Sequence, residues 1–159
     1  MLDQDSIALL KKLLTLQKGG FLNFKSNDED FEAVGKYISA LANMAALADI
    51  PYGYLVYGVD DHTHEVVGTA FSLDNQKSSG ISYRMSLNSI LSPKGLFDSD
   101  TFEWTDEKKV TIIRVNKTPP WNRDLPGRRI RQGGRFFGFF IQRARFKAPN
   151  LAKNPQQRR

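Results

Sequence analysis

The stretch Gly53-Tyr54-Leu55-Val56-Tyr57-Gly58-Val59-Asp60-Asp61 limits the possible folds most severely. Residues 54–59 are aromatic, aliphatic or β-branched except for one glycine, and turn formers bound them, which predicts a buried strand. Gly58 has no Cβ, so another backbone or a ligand can approach closely there. The strand then delivers Asp60 and Asp61 to a surface loop, where chemistry is usually placed.

The flanking sequence predicts what covers this strand. Asp5-Ser6 can cap a first helix over 7–16, with Ile7, Leu10 and Leu14 as its stripe and Leu9, Leu13 and Leu16 broadening it. Gly19-Gly20 stops it. Residues 21–25 read as a short strand. A second helix is predicted over 30–48, opened by Ser26-Asn27-Asp28, with Asp28, Glu29, Asp30 and Glu32 crowded where the helix dipole favours negative charge. Phe31, Val34, Ile38, Leu41, Ala45 and Ala48 recur at helical spacing and define its buried face. Pro51 ends it.

Beyond the central strand, residues 60–64 read as a turn and 65–69 as a hairpin partner. Residues 74–80 form a loop by composition. A third helix is predicted over 81–91, with Ile81, Met85, Asn88 and Leu91 as its pattern. Residues 102–104 and 110–115 read as an antiparallel pair joined by a turn at 106–109. Residues 139–146 are a further strand candidate. The expected fold class is therefore α/β (α+β): a single compact domain, a mixed β-sheet flanked by about three helices.

The 159 residues are enough for one domain with a real core. There is no cysteine, which excludes disulfides, thiolate catalysis and cysteine-type zinc sites. No apolar run is long enough for a transmembrane helix, so no membrane partner is expected. The first residues lack a basic and an apolar region of the secretory type, which predicts a cytoplasmic protein.

Charge divides the chain. Residues 121–159 carry eleven Lys/Arg against Asp124 alone, a net +10, and the other 120 residues carry 12 Lys/Arg against 16 Asp/Glu, a net −4. This predicts a body over 1–118 and a basic Arg/Gly/Phe-rich segment over 119–159 that is disordered or an arm for an anionic partner. Within 127–138 four arginines and four glycines surround Phe136-Phe137. Guanidinium groups meet phosphates and aromatic rings stack on bases, so such mixing suits nucleic acid.

Few motifs carry catalysis. There is no Walker-type phosphate loop, no Gly-x-Gly-x-x-Gly and no nucleophile motif. Asp60, Asp61, His62, His64 and Glu65 form one local cluster of metal-type ligands. Its oxygens suit Mg²⁺ or Mn²⁺, its His-x-His pair suits a transition metal, and the alternative is an ordinary turn in which Asp bonds its own backbone.

The order of these segments is similar to a known family. A leucine-rich helix, a strand ending Phe24-Lys25, a helix ending Ile38-Ser39-Ala40-Leu41-Ala42-Asn43, then Pro51 through Asp61, then Glu65-Val66-Val67-Gly68-Thr69, resembles the Schlafen-type AlbA-like domain over residues 1–116. The resemblance implies an AlbA-like α/β fold and nucleic-acid binding. In some Schlafen members it implies metal-dependent cleavage of structured RNA by three carboxylates. By position, Asp60 or Asp61 matches the third. The first two belong to a Glu-x-x-x-x-Glu-Phe-Lys pattern, where this chain has Lys18 and Asn23.

The leading expectation is a catalytically silent nucleic-acid-binding domain, DNA or RNA, of a bacterial regulator or defence protein, with no cofactor. Its phosphate contacts would be Lys25, Arg114, Arg128, Arg129, Arg131, Arg135, Arg143 and Arg145. The alternative is a metal-dependent endoribonuclease using Asp60 and Asp61 as ligands of Mg²⁺ or Mn²⁺, with Lys25 steadying phosphate. A third class is a non-enzymatic assembly module, and a homo-oligomer is compatible with it.

Overall fold

The computed structural model describes residues 2–17, 19–27, 29–119 and 145–146. The chain runs α1 (Leu2–Thr15), β1 (Leu22–Lys25), α2 (Phe31–Leu47), β2 (Tyr52–Tyr57), β3 (Lys77–Ser78), β4 (Ile81–Ser82), α3 (Tyr83–Ile90), β5 (Leu91–Ser92), β6 (Phe97–Thr105), β7 (Lys108–Asn116) and β8 (Arg145–Phe146). The main sheet has the order β1-β2-β7-β6. β1 and β2 are parallel, and the other pairs are antiparallel. This is the α/β class that the sequence predicts, with the central strand inside the sheet.

Alternation along β2 distributes its side chains between two layers. Leu55 and Tyr57 join Val34, Ile38 and Leu41 of α2, Tyr83 and Leu87 of α3, and Ile113 and Val115 of β7. Val56 turns to the other face, among Leu10 and Leu13 of α1, Phe24, Phe102 and Ile112. A strand with apolar side chains on both faces needs cover on both, and the helices supply it.

Asp30 caps α2, its carboxylate accepting from the Ala33 N–H at 2.9 Å. The cap lies later than Ser26-Asn27-Asp28, of which Asp28 is outside the described residues. Glu29 faces a neighbouring segment instead: it accepts from Gln76 Nε2 at 3.2 Å, and its carbonyl accepts from the Tyr83 hydroxyl at 3.0 Å.

Several expectations are corrected. α1 begins at Leu2, so Asp5-Ser6 is inside the helix rather than its cap, and the Ser6 hydroxyl donates to the Asp100 carboxylate. The central strand ends at Tyr57, because Gly58 takes a φ of +95° and leaves the ladder. The hairpin partner over 65–69 is one bridge, Val59 with Val66, since Gly68 also has positive φ and bends the chain away. The stripe assigned to the third helix is wrong. Ser82 caps α3, so Ile81 lies outside it, and Ile81 and Met85 are 50% and 67% exposed. Tyr83 and Leu87, one turn apart, are the buried pair.

Candidate nucleic-acid interface

Asp60 follows the central strand and closes a turn. Its Oδ1 accepts from the backbone N–H groups of His62 at 2.9 Å and Thr63 at 2.8 Å, and from the Thr63 hydroxyl at 3.2 Å. These bonds, those to the Thr63 and His62 backbone foremost, hold the Asp60 carboxyl below the usual carboxylate range. The Asp60 N–H returns to the Glu65 carbonyl at 2.9 Å, and His64 takes a φ of +58°. The Asp-rich segment is built as an Asx-type turn.

Lys25 sits beside that turn. Its carbonyl accepts from the Gly58 N–H at 2.8 Å, and its ammonium lies 4.5 Å from the Tyr37 ring centroid on α2. That is cation–π range. Asn23, two residues earlier on the same short strand, pairs with Leu55.

Arg114 lies elsewhere. β2, β7 and β6 place Tyr54, Arg114 and Asp98 side by side. The Arg114 guanidinium is 5.0 Å from the Tyr52 ring centroid, and its Nη2 is 3.9 Å from Asp98 Oδ2. Tyr52 and Tyr54 meet edge to face at 6.4 Å. Burial raises the Tyr54 hydroxyl pKa above its ordinary value. Arg114 borders a groove of about 460 Å³ that α1 also lines, through Asp5, Ser6 and Leu9. Lys25 faces α2 and Arg114 faces the α1 side, so the sheet separates them.

Of the other predicted phosphate contacts, Arg128, Arg129, Arg131, Arg135 and Arg143 lie outside the described residues, as does Lys18. Arg145 falls in β8, opposite Ser92. Sequence reasoning missed Tyr52, Tyr54 and Asp98. Their signal was the alternation of β2 with the antiparallel register of β7, visible only once both strands are aligned.

Among the described residues, three helices on two faces of a mixed four-stranded sheet, with Asp60 and Lys25 at one end and Arg114 among tyrosines at the other, define a compact α/β domain. The chain belongs to the Schlafen, AlbA_2 family, which it matches over residues 18–137, more than half of its length. The matched span continues past residue 118 into the basic segment. A similar solved structure is the solution NMR structure of the N-terminal domain of an ATP-dependent DNA helicase RecG-related protein from Nitrosomonas europaea. It shares 19% identity at a TM-score of 0.46, covering 82% of this chain and 89% of that one. No curated protein matches the chain.

The three-carboxylate metal centre implied by the resemblance does not fit the residues present. Asn23 offers an amide where the pattern asks for a carboxylate, and Asp60 is engaged by its own turn. Among the described residues no group of three or more His, Cys, Asp or Glu is placed to hold a metal ion. Likewise among the described residues, no helix is long and apolar enough to cross a membrane.

Proposed function

We propose that this chain binds nucleic acid without cleaving it, as the recognition domain of a bacterial regulator or defence protein. The observation that carries the reading is the coincidence of Schlafen, AlbA_2 membership with a net +10 over residues 121–159. Each phosphate neutralised by Lys or Arg releases condensed counterions, which gives affinity without sequence readout. The −4 body would repel a polyanion, so the basic segment and isolated cations such as Lys25 carry the attraction.

The donor chemistry supports the silent assignment. Phosphodiester cleavage by a metal ion needs the ion held by several oxygens, so that it activates water and neutralises developing charge. Asp60 and Asp61 supply one corner of such a site. Asn23 supplies at most a neutral oxygen, and Lys18 brings positive charge where a ligand is required.

The test is a salt titration of binding to duplex DNA, structured RNA and single strands. The expected result is binding whose logarithm falls linearly with the logarithm of salt, by about 0.9 per phosphate contact on duplex DNA. Absence of binding to all three at low salt would overturn the reading.

A further inference from the structure

We infer that the groove between α1 and the β6–β7 ends takes an unpaired nucleobase, with preference for guanine, an assignment that rests on the nucleic-acid-binding reading. The groove has a volume of about 460 Å³, within the range of small-ligand pockets. Leu9 and Ile112 supply its apolar lining, while Asp98, Asp100 and Ser6 supply polar groups. Arg114 stands at its border with its guanidinium against Tyr52.

The charges decide which part of a nucleotide enters. Asp5, Asp98 and Asp100 outnumber Arg114 and the Arg84 guanidinium that faces Asp98, so the groove is net negative and repels a phosphate. A base is neutral and has a flat π-face. The Arg114 guanidinium is planar and already packed against an aromatic ring, and stacking on guanidinium planes and tyrosines is how single-stranded bases are held. The phosphates of the same strand then lie outside, away from the carboxylates.

The carboxylates also decide which base. Asp98 Oδ1 accepts from the Ser99 N–H at 2.8 Å and lies 3.7 Å from Arg84 Nη1, its Oδ2 lies 3.9 Å from Arg114 Nη2, and Asp100 Oδ2 accepts from the Ser6 hydroxyl. An ionised carboxylate has about four acceptor sites and no donor, so both retain capacity toward a ligand. Guanine presents two adjacent donors, its ring N–H and exocyclic amine, which match a carboxylate in pairs. Cytosine and adenine present one amine. Thymine and uracil place carbonyls on either side of a single N–H, and carboxylates repel these.

The experiment is a fluorescence anisotropy titration of the full chain with labelled oligothymidylate, the same strand with one central guanine, and a duplex. The central guanine should tighten binding about tenfold, the scale of one good bidentate pair. Asp98→Asn with Asp100→Asn should abolish that preference, and Tyr52→Leu should weaken the guanine strand about tenfold while duplex affinity changes less than about twofold. Arg114→Lys keeps the charge but loses the plane, so it should lose the guanine preference and keep the salt slope. Circular dichroism of each variant establishes that it is folded, and Arg114→Lys, at an exposed site, provides the reading if a tyrosine or double variant is not. Equal affinity for the two single strands, in a protein that binds duplex, would overturn the base site alone. No binding to any of the three would remove the nucleic-acid reading with it.

Discussion

Gly58 and Lys109 approach so closely that a Cβ on residue 58 would lie 2.9 Å from the Lys109 carbonyl oxygen. That oxygen accepts from the Thr69 N–H at 2.9 Å, and the Gly58 carbonyl accepts from Val67 and Gly68. One residue thus joins the end of β2, the loop after the Asp60 turn, and β7. Gly58→Ala sets its Cβ against the backbone of Lys109, Gly68 and Thr69 and must hold a φ of +95°. It should cost at least about 2 kcal/mol, measured by urea unfolding, since strain and contact add. A variant as stable as wild type would mean that this crossing is looser than described.

The core predicts a second effect. Leu55 is fully buried between β2 and α2. Leu55→Ala should lose about 2–4 kcal/mol, the transfer term plus the cavity left when neighbours relax only partly. Chemical denaturation would show it as a lower midpoint with unchanged slope.

A pH effect follows from Asp74. Its carboxylate accepts from Arg84 Nε at 2.6 Å and Nη2 at 3.0 Å, and the Arg84 hydrogen bond holds it below its ordinary value of 3.8. A folded-state value below the unfolded one contributes stability that is fully present above the unfolded value. The contribution is lost as pH falls through the folded value. Wild type should therefore exceed Asp74→Asn by a constant margin at neutral pH, and the margin should shrink below about pH 4. Asp74 is exposed, so the margin should stay under about 1 kcal/mol. A gap that widens on acidification would contradict the pairing.

Catalysis gives a fourth. Structured RNA incubated with the wild type and Mn²⁺ or Mg²⁺ should remain intact on a denaturing gel. Lys18→Glu with Asn23→Glu restores the family pattern and should raise Mn²⁺ affinity measured by calorimetry. Cleavage by wild type that Asp61→Ala abolishes would promote the nuclease alternative.

The strongly patterned elements were legible. Tyr54 to Val59 announced an interior strand because nearly every residue is apolar, and Gly58 announced the close approach of another backbone. α2 was legible from Val34, Ile38 and Leu41 at helical spacing. α3 was legible as a helix but not in its start or buried face: Ile81 and Met85 matched a helical period, yet Ser82 caps the helix and Tyr83 and Leu87 are its buried pair. The Asp60 cluster offered metal ligands as well as an ordinary turn, the reading its composition favoured, and its bonds to His62 and Thr63 build such a turn. The Tyr52–Arg114 contact joins residues far apart in the chain, and no local signal encodes it.

β8 carries a consequence for handling this molecule. Arg145 and Phe146 ladder with Ser92 and Leu91, so the stretch richest in cations also supplies a strand that closes back on the body. Contacts between such distant positions form after local hairpins such as β6–β7, because closing the longer loop costs more entropy. Cutting the chain after residue 120 would therefore remove charge and a late folding contact together. Arginine-to-glutamine exchanges at 128, 129, 131 and 135 separate the two, since they alter the electrostatics and leave the chain long enough to close.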